Sequence, residues 1–193
     1  MESIDKIICG LGNPEEKYKL TRHNIGWRII DLLKEKNNII EEVNDCKGLL
    51  YLSNIDNKRV LFIKSLTGMN STGDCIKMAC NQFNIDYTKD LLVVLDDISL
   101  PFGKIRMRLQ GSSGHHNGLS SILEKLNTEK ISRIKIGIDK PKNKSKILDY
   151  VLGNFTEEEE LKLRNILQDV IDIAIIPWIK EDNAEKVMNI VNK

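Results

Sequence analysis

The chain has 193 residues, 41% of them hydrophobic and 30% charged, with 29 basic against 28 acidic side chains and a net charge of +1. That length suits one domain able to bury about 70% of its unfolded surface without a covalent staple. The even balance excludes a wholesale polycation, so any site for a polyanion must come from local clustering of charge.

The apolar stretch KIICG (6–10) reads as a buried first strand. Over residues 24–36, Ile25, Ile29, Leu32 and Leu33 share one helical face. GLLYLSNI and RVLFIK flank Asp56-Asn57-Lys58, a hairpin turn. A helix follows from Asn70 to Phe83, and LLVVL (91–95) has the continuous apolar character of a central strand covered on both faces. KIRMRL (104–109) alternates cations with apolar residues, as a strand with one basic face does. GLSSILEKL (118–126) is helical, and RIKIGI (133–138) is another strand. Thr156 and Glu159 form a capping box that opens a helix, with Glu157 to Glu160 a solvated start at its positive end. Pro177 is expected to end or bend that helix, leaving a shorter terminal one. Apolar runs alternating with amphipathic stretches imply an α/β fold, a single domain over 1–193 with a twisted mixed β-sheet flanked by helices.

The four cysteines contain no CxxC; Cys9, Cys75 and Cys80 have apolar neighbours and read as small core residues. This suits a reduced, cytoplasmic protein. The N-terminus does not resemble a signal peptide, and no stretch reaches the ~20 apolar residues of a membrane span.

Polar residues collect where strands end. GLGNP (10–14) closes the first strand, LDD (95–97) the central one, and Lys64 the VLFIK stretch, shortly before Asn70. If these strands run parallel, all three groups emerge on the edge where open α/β sheets bind ligands. His23 lies nine residues past Pro14 and can fold back over the same edge. A neutral imidazole there takes a proton from water, and Asp96 is placed to fix its tautomer and stabilise the imidazolium. The carboxamides of Asn13, Asn70 and Asn117 are suited to hold a water, a carbonyl or an oxyanion. No nucleophilic Ser or Cys stands beside the histidine, so direct attack by water is the simpler chemistry. Singly, each residue also has a plain structural reading: Asn13-Pro14 as a turn pair, Asn70 as a helix cap, Asp96 as a strand-end cap.

GLGNPE departs from a dinucleotide fingerprint because Glu15 stands at the third glycine. Adjacent histidines in GSSGHHNG (111–118) usually point in different directions and make poor co-ligands, so a metal site is not expected there; the glycines suit a loop that flexes as a gate. Arg106 and Arg108 share a strand face with Lys104 in register, and Arg133 and Lys135 repeat the pattern on another strand. Paired side by side they make a cationic patch for one or a few phosphates, with the lysine-rich stretch 140–146 adding diffuse attraction.

Taken together, GLGNPEEKYKLTRHNIGW, KSLTGMNSTG, LDDISLPFGKIRMRLQGSSGHHNGLSSI, RIKIGIDKP and DYVLGNF resemble bacterial peptidyl-tRNA hydrolase, in family order over residues 10–155. The resemblance implies cleavage of the ester between a peptide and the 3′ ribose of tRNA, which recycles tRNA from stalled translation. It makes His23 the catalytic base and Asp96 its orienting acid. Asn13, Asn70 and Asn117 become substrate- and water-positioning groups, Tyr18 lies near the 3′ end, and Met69 forms cleft wall. Arg106, Arg108 and Arg133 become the clamp on the tRNA 5′ phosphate. The implied protein is a cytoplasmic monomer that meets the acceptor stem and 3′ end of peptidyl-tRNA and needs no metal, cofactor or membrane. The sequence departs from the family pattern at Glu15, His115 and Asp139, where glycine is usual, and at Ser65, where proline is usual. A non-catalytic RNA-binding protein on the same fold and a general esterase with incidental basic strands stand as rival readings.

Overall fold

A computed structural model describes residues 3–141 and 146–193; residues 142–145 of the lysine-rich stretch lie outside the described residues. Among the described residues seven strands form one sheet, in the order β2-β3-β4-β1-β5-β7-β6. They are β1 (Lys6–Gly10), β2 (Ile39–Asp45), β3 (Gly48–Ile55), β4 (Lys58–Ser65), β5 (Leu91–Asp97), β6 (Ile105–Arg108) and β7 (Ser132–Gly137). The centre is parallel: β1 pairs with β4 and β5, and β5 with β7. Antiparallel pairs complete both edges, β2-β3-β4 on one side and β6-β7 on the other. The mixed α/β sheet anticipated from the alternating pattern is therefore present, and the ends of β1, β4 and β5 emerge on one edge.

The helices are α1 (Ile25–Lys36), α2 (Thr72–Gln82), α3 (Tyr87–Asp90), α4 (Asn117–Leu126), α5 (Ile147–Val151), α6 (Glu157–Val170), α7 (Ile176–Lys180) and α8 (Ala184–Val191). Two apolar cores fill the two faces of the sheet. One joins α1, α6, α7 and α8 to Ile8, Phe62, Val94 and Ile134. The other joins α2 and α4 to Ile7, Cys9, Leu61 and Val93. Alternate residues of β1 and β5 serve opposite cores, which is why those strands read as unbroken apolar runs. All four cysteines are buried free thiols of the second core.

Local chemistry explains most boundaries. Ile55 pairs with Lys58, and both intervening residues, Asp56 and Asn57, have positive φ (52° and 63°), the backbone of a two-residue hairpin. Cys46 and Lys47 repeat that geometry between β2 and β3 (φ 51° and 58°), without turn-type residues to announce it. Strand β2 is absent from the sequence reading because it is an edge strand whose acidic IIEEVND is almost wholly exposed. Of the two outcomes expected at Pro177, an end or a bend, the helix shows no end there: a wide π-turn, Ile171–Ile175, carries α6 into α7, and Pro177 sits in the first turn of α7. The π-turn just upstream is where the helical ladder adjusts to a proline that has no N–H to give. The shorter terminal helix does exist, after Asn183, whose side chain caps it.

Helix α1 lies against β1 at two glycines. A Cβ on Gly10 would fall 2.1 Å from the Gly26 carbonyl oxygen, and one on Gly26 would fall 2.4 Å from both Leu11 N and Val94 O. Gly26→Ala is therefore expected to destabilise the fold by about 1–3 kcal/mol, outweighing the ~1 kcal/mol that alanine gains over glycine within a helix. Urea denaturation measures this; an unchanged or raised midpoint would contradict such close packing.

Candidate active site

The segment Thr21–Asn24 packs against the carboxyl edge of the sheet, with Arg22–Asn24 forming a 3-10 turn that leads into α1. It places His23, 8% exposed, against Asp96, 3% exposed at the end of β5. His23 Nδ1 lies 2.9 and 3.0 Å from the two Asp96 oxygens. His116 Nε2 lies 3.0 Å from Oδ1 of the same carboxylate. The two imidazoles approach with centroids 4.6 Å apart and planes tilted by 41°.

Burial alone pushes the Asp96 carboxyl up, but the two imidazoles override it and hold the group well below the usual carboxylate range. An ionised carboxylate only accepts, so His23 Nδ1 and His116 Nε2 must both donate. His116 caps α4, its Nδ1 accepting from Leu119 N at 3.4 Å, which agrees with a proton on Nε2. His23 Nε2 is then the bare nitrogen, and His23 borders both lobes of the cleft. Burial lowers the His23 pKa, while the charge and hydrogen bond of Asp96 raise it; the net direction is up.

One lobe, about 330 Å³, is bordered by Asn13, Tyr18, Met69, Asn70 and Asn117. The other, about 450 Å³, has Asp97, His115, His116 and Lys135 along an apolar wall that includes Ile98, Leu148 and Val151. Asn117 and Leu148 border both. The structure thus gathers His23, Asp96, Asn13, Tyr18, Met69, Asn70 and Asn117 at one cleft. Asn13 Oδ1 accepts from Met69 N at 3.0 Å, which spends the oxygen on that contact and leaves Nδ2 as the side-chain donor of a residue that borders the lobe. Asn70 is no helix cap; it lies exposed in the turn Met69–Ser71, and α2 starts only at Thr72. Met69 is buried against α4, where a Cβ on Gly118 would meet its sulfur at 2.4 Å. Asp97 accepts from Lys135 Nζ at 2.9 Å and from Ser99 N at 2.7 Å, a bracing contact beside the site.

The basic strands pair as their alternation suggested, Arg106 opposite Lys135 and Arg108 opposite Arg133. Arg133 departs from the expected surface patch. It is 1% exposed and donates to the carbonyls of Gly111 (2.7 Å) and Glu129 (3.1 Å), and burial pulls its pKa down to about 10. Its guanidinium holds the chain leading to the His116 loop, while Arg108 is exposed and Arg106 partly so.

No local pattern singles out His116, Arg22 or Asn24, which the structure places at the site. The sequence reading set His116 aside with its neighbour; the N-cap position before GLSSI was its only signal. Arg22 donates to Asn154 O (2.7 Å) and Glu159 Oε2 (2.8 Å) and lies over the rings of Tyr150 and Phe155. The acids at the start of α6 are therefore not merely solvated: Glu159 serves both the capping box and Arg22, and Glu160 holds Arg28 at 2.6 and 2.9 Å. Of the four departures from the family pattern, His115 and Asp139 take positive φ (68° and 63°), a conformation glycine adopts without strain. Glu15 is extended (φ −69°) and Ser65 bonds Thr67 Oγ1.

Ligand atoms of His23, Asp96 and His116 lie within 4.8 Å of one another, the set among the described residues best arranged to meet a cation. Their mutual hydrogen bonds satisfy them as they stand, since both facing nitrogens carry protons. Among the described residues no helix is long and apolar enough to cross a membrane.

A family model for peptidyl-tRNA hydrolase matches residues 7–193. The chain belongs to the peptidyl-tRNA hydrolase family. A peptidyl-tRNA hydrolase of Bacillus thuringiensis subsp. konkukian is 40% identical over 187 residues, 97% of this chain and 99% of the relative. One from Bacillus subtilis is 45% identical over 153 residues, 79% and 81% of the two chains. A crystal structure of peptidyl-tRNA hydrolase from Acinetobacter baumannii superposes with a TM-score of 0.88 at 25% identity, covering 100% of this chain and 97% of the other.

The net upward shift of His23 depends on Asp96. Ring-proton NMR is expected to give His23 a titration midpoint above that of an ordinary histidine, and Asp96→Asn is expected to move it below, because burial then acts unopposed. An unmoved midpoint would contradict the pairing.

Proposed function

We propose that the chain hydrolyses peptidyl-tRNA at the ester joining the peptide to the 3′ ribose. The observation that carries this reading is the buried pair: His23 Nδ1 donates to Asp96 while its other nitrogen is left bare, beside a lobe bordered by three asparagines. Family membership supplies the substrate class.

His23 Nε2 removes a proton from water as the water oxygen attacks the ester carbonyl carbon. Asp96 stabilises the resulting imidazolium through Nδ1–H without taking the proton itself. Negative charge develops on the carbonyl oxygen, where amide groups such as the Nδ2 of Asn13 are suited to receive it. Collapse breaks the bond to the ribose 3′ oxygen, which takes the proton back from His23. The products are a free peptide carboxyl and a tRNA with a 3′ hydroxyl.

Charge suggests how the substrate lies. Lys135 borders the larger lobe and pairs in register with Arg106, so a basic strip leads from that lobe to Arg108. The acceptor end approaches along this strip, with the 5′ phosphate near Arg106 and Arg108. Arg133 supports the strip from beneath. Asn13, Tyr18, Met69 and Asn70 then border the peptide lobe, and Tyr18 stays near the 3′ end because His23, where the ester is cleaved, borders the same lobe. The protein works as a cytoplasmic monomer and makes its nucleic-acid contact through this one face.

His23→Ala is expected to lower turnover of an N-blocked aminoacyl-tRNA by roughly 10²–10⁴-fold. Release at the parent rate would refute the assignment, and tRNA binding without turnover by the parent would favour a non-catalytic RNA-binding role. Arg108→Ala is expected to weaken KM for tRNA and to flatten the log–log salt dependence by about one unit. A small peptidyl ester lacking the 5′ phosphate should be indifferent to that change, and equal losses on both substrates would remove the phosphate contact from the account.

A further inference from the structure

Asn24 follows His23 directly, and it is fully buried. Its side chain is spent on one neighbour. Oδ1 accepts from the Asn13 backbone N–H at 2.9 Å, and Nδ2 donates to the Asn13 backbone carbonyl at 2.9 Å. One carboxamide thus satisfies both main-chain groups of Asn13, as a neighbouring strand would. The pattern fixes which atom of Asn24 is oxygen, because a backbone N–H cannot donate to an amide nitrogen that is itself a donor.

Asn13 is held from a third direction. Its own Oδ1 accepts from Met69 N at 3.0 Å, so its Nδ2 points away from that contact, in a residue that borders the cleft. The loop carrying Asn13 is not part of the sheet, since β1 ends at Gly10. Behind it, Trp27 of α1 packs on Gly12, where an added Cβ would lie 2.5 Å from the indole. Asn13 and His23, which both border the cleft, therefore reach it on different segments, and Asn24, next to His23 in the chain, is a direct hydrogen-bonded link between them.

We propose that Asn24 is a positioning residue: by clasping both backbone groups of Asn13, it fixes the Asn13 amide at a set distance from His23, so that the donor meets the developing oxyanion while His23 takes the proton from water. Asn24 touches neither the substrate nor the reacting atoms. Its contribution belongs to kcat, because a displaced oxyanion donor costs transition-state stabilisation more than ground-state binding. The inference rests on the hydrolytic reading above and on Asn13 as the donor within it.

The test is a double-mutant cycle in the full-length chain with an N-blocked aminoacyl-tRNA, reading kcat, KM and the pH midpoint of kcat. Asn13→Ala alone examines the donor role and is expected to lower kcat by about 10²-fold. Asn24→Ala alone is expected to lower kcat roughly 10- to 100-fold with KM nearly unchanged. It should leave the pH midpoint where the parent has it, because the His23–Asp96 pair is intact. In the Asn13→Ala background the same Asn24 change is expected to cost less than about twofold, since the group it positions is gone. Asn24→Asp is the variant to use if the alanine substitution unfolds the chain. It keeps an acceptor for the Asn13 N–H, sets a carboxylate against the Asn13 carbonyl, and is expected to follow the same non-additive pattern. Equal kcat losses in both backgrounds, or a shifted pH midpoint, would overturn the proposal and make Asn24 a structural residue or a partner of His23. Parent-like kcat in Asn13→Ala alone would instead refute the donor reading, and the inference with it.

Discussion

A single buried carboxylate organises this protein. Asp96 is 3% exposed at the end of a central parallel strand, and it stays ionised there because two imidazole N–H groups converge on it. An unpaired carboxylate in that position would neutralise by taking a proton, since desolvation disfavours its charge. The pairing works in both directions. It keeps Asp96 an acceptor, and that demand places a proton on the facing nitrogen of each histidine. One histidine is thereby left with its far nitrogen bare at the cleft, while the other is locked as the cap of α4. The chemistry of His23 follows from the electrostatics of its neighbour.

The fold delivers the pair by simple means. Parallel pairing of β1 with β4 and β5 brings three strand ends to one edge. Close approach at Gly10 and Gly26 seats α1 directly on that edge, so the turn preceding α1 lies over Asp96. Four consecutive residues then tie that turn in four directions. Thr21 bridges to Asn154, Arg22 reaches the start of α6, His23 meets Asp96, and Asn24 clasps Asn13. Every one of them is buried and polar, and the side chains of Arg22, His23 and Asn24 need these partners to be buried at all.

What the sequence revealed follows where local pattern and tertiary outcome coincide. The apolar runs of β1 and β5, the Asp56-Asn57 hairpin, the alternation in β6 and the Thr156 capping box are local signals, and each became the element it suggested. The acidic edge strand β2 and the Cys46-Lys47 turn were illegible because their chemistry is ordinary surface chemistry and only pairing with β3 makes them a hairpin. Pro177 left open whether the helix ends or bends, because the remedy for it, a π-turn immediately upstream, leaves no mark in composition. At the site, residue types and strand-end positions anticipated that His23, Asp96 and the three asparagines share one cleft. The roles of His116, Arg22 and Asn24 depend on contacts spanning 11 to 137 positions in the chain, which no local pattern carries. Arg133 shows the opposite failure: its alternation with Lys135 correctly gave its face, but burial beneath the chain at Gly111 is a tertiary fact.

Catalysis turns on which ring nitrogens carry protons, and nitrogen-15 NMR of the histidine rings reads them. Above the His23 titration, His23 should carry its proton on Nδ1 with Nε2 bare, and His116 the opposite tautomer, Nε2–H. His23 carrying its proton on Nε2, or His116 carrying its own on Nδ1, would contradict a shared ionised Asp96 and the mechanism built on it.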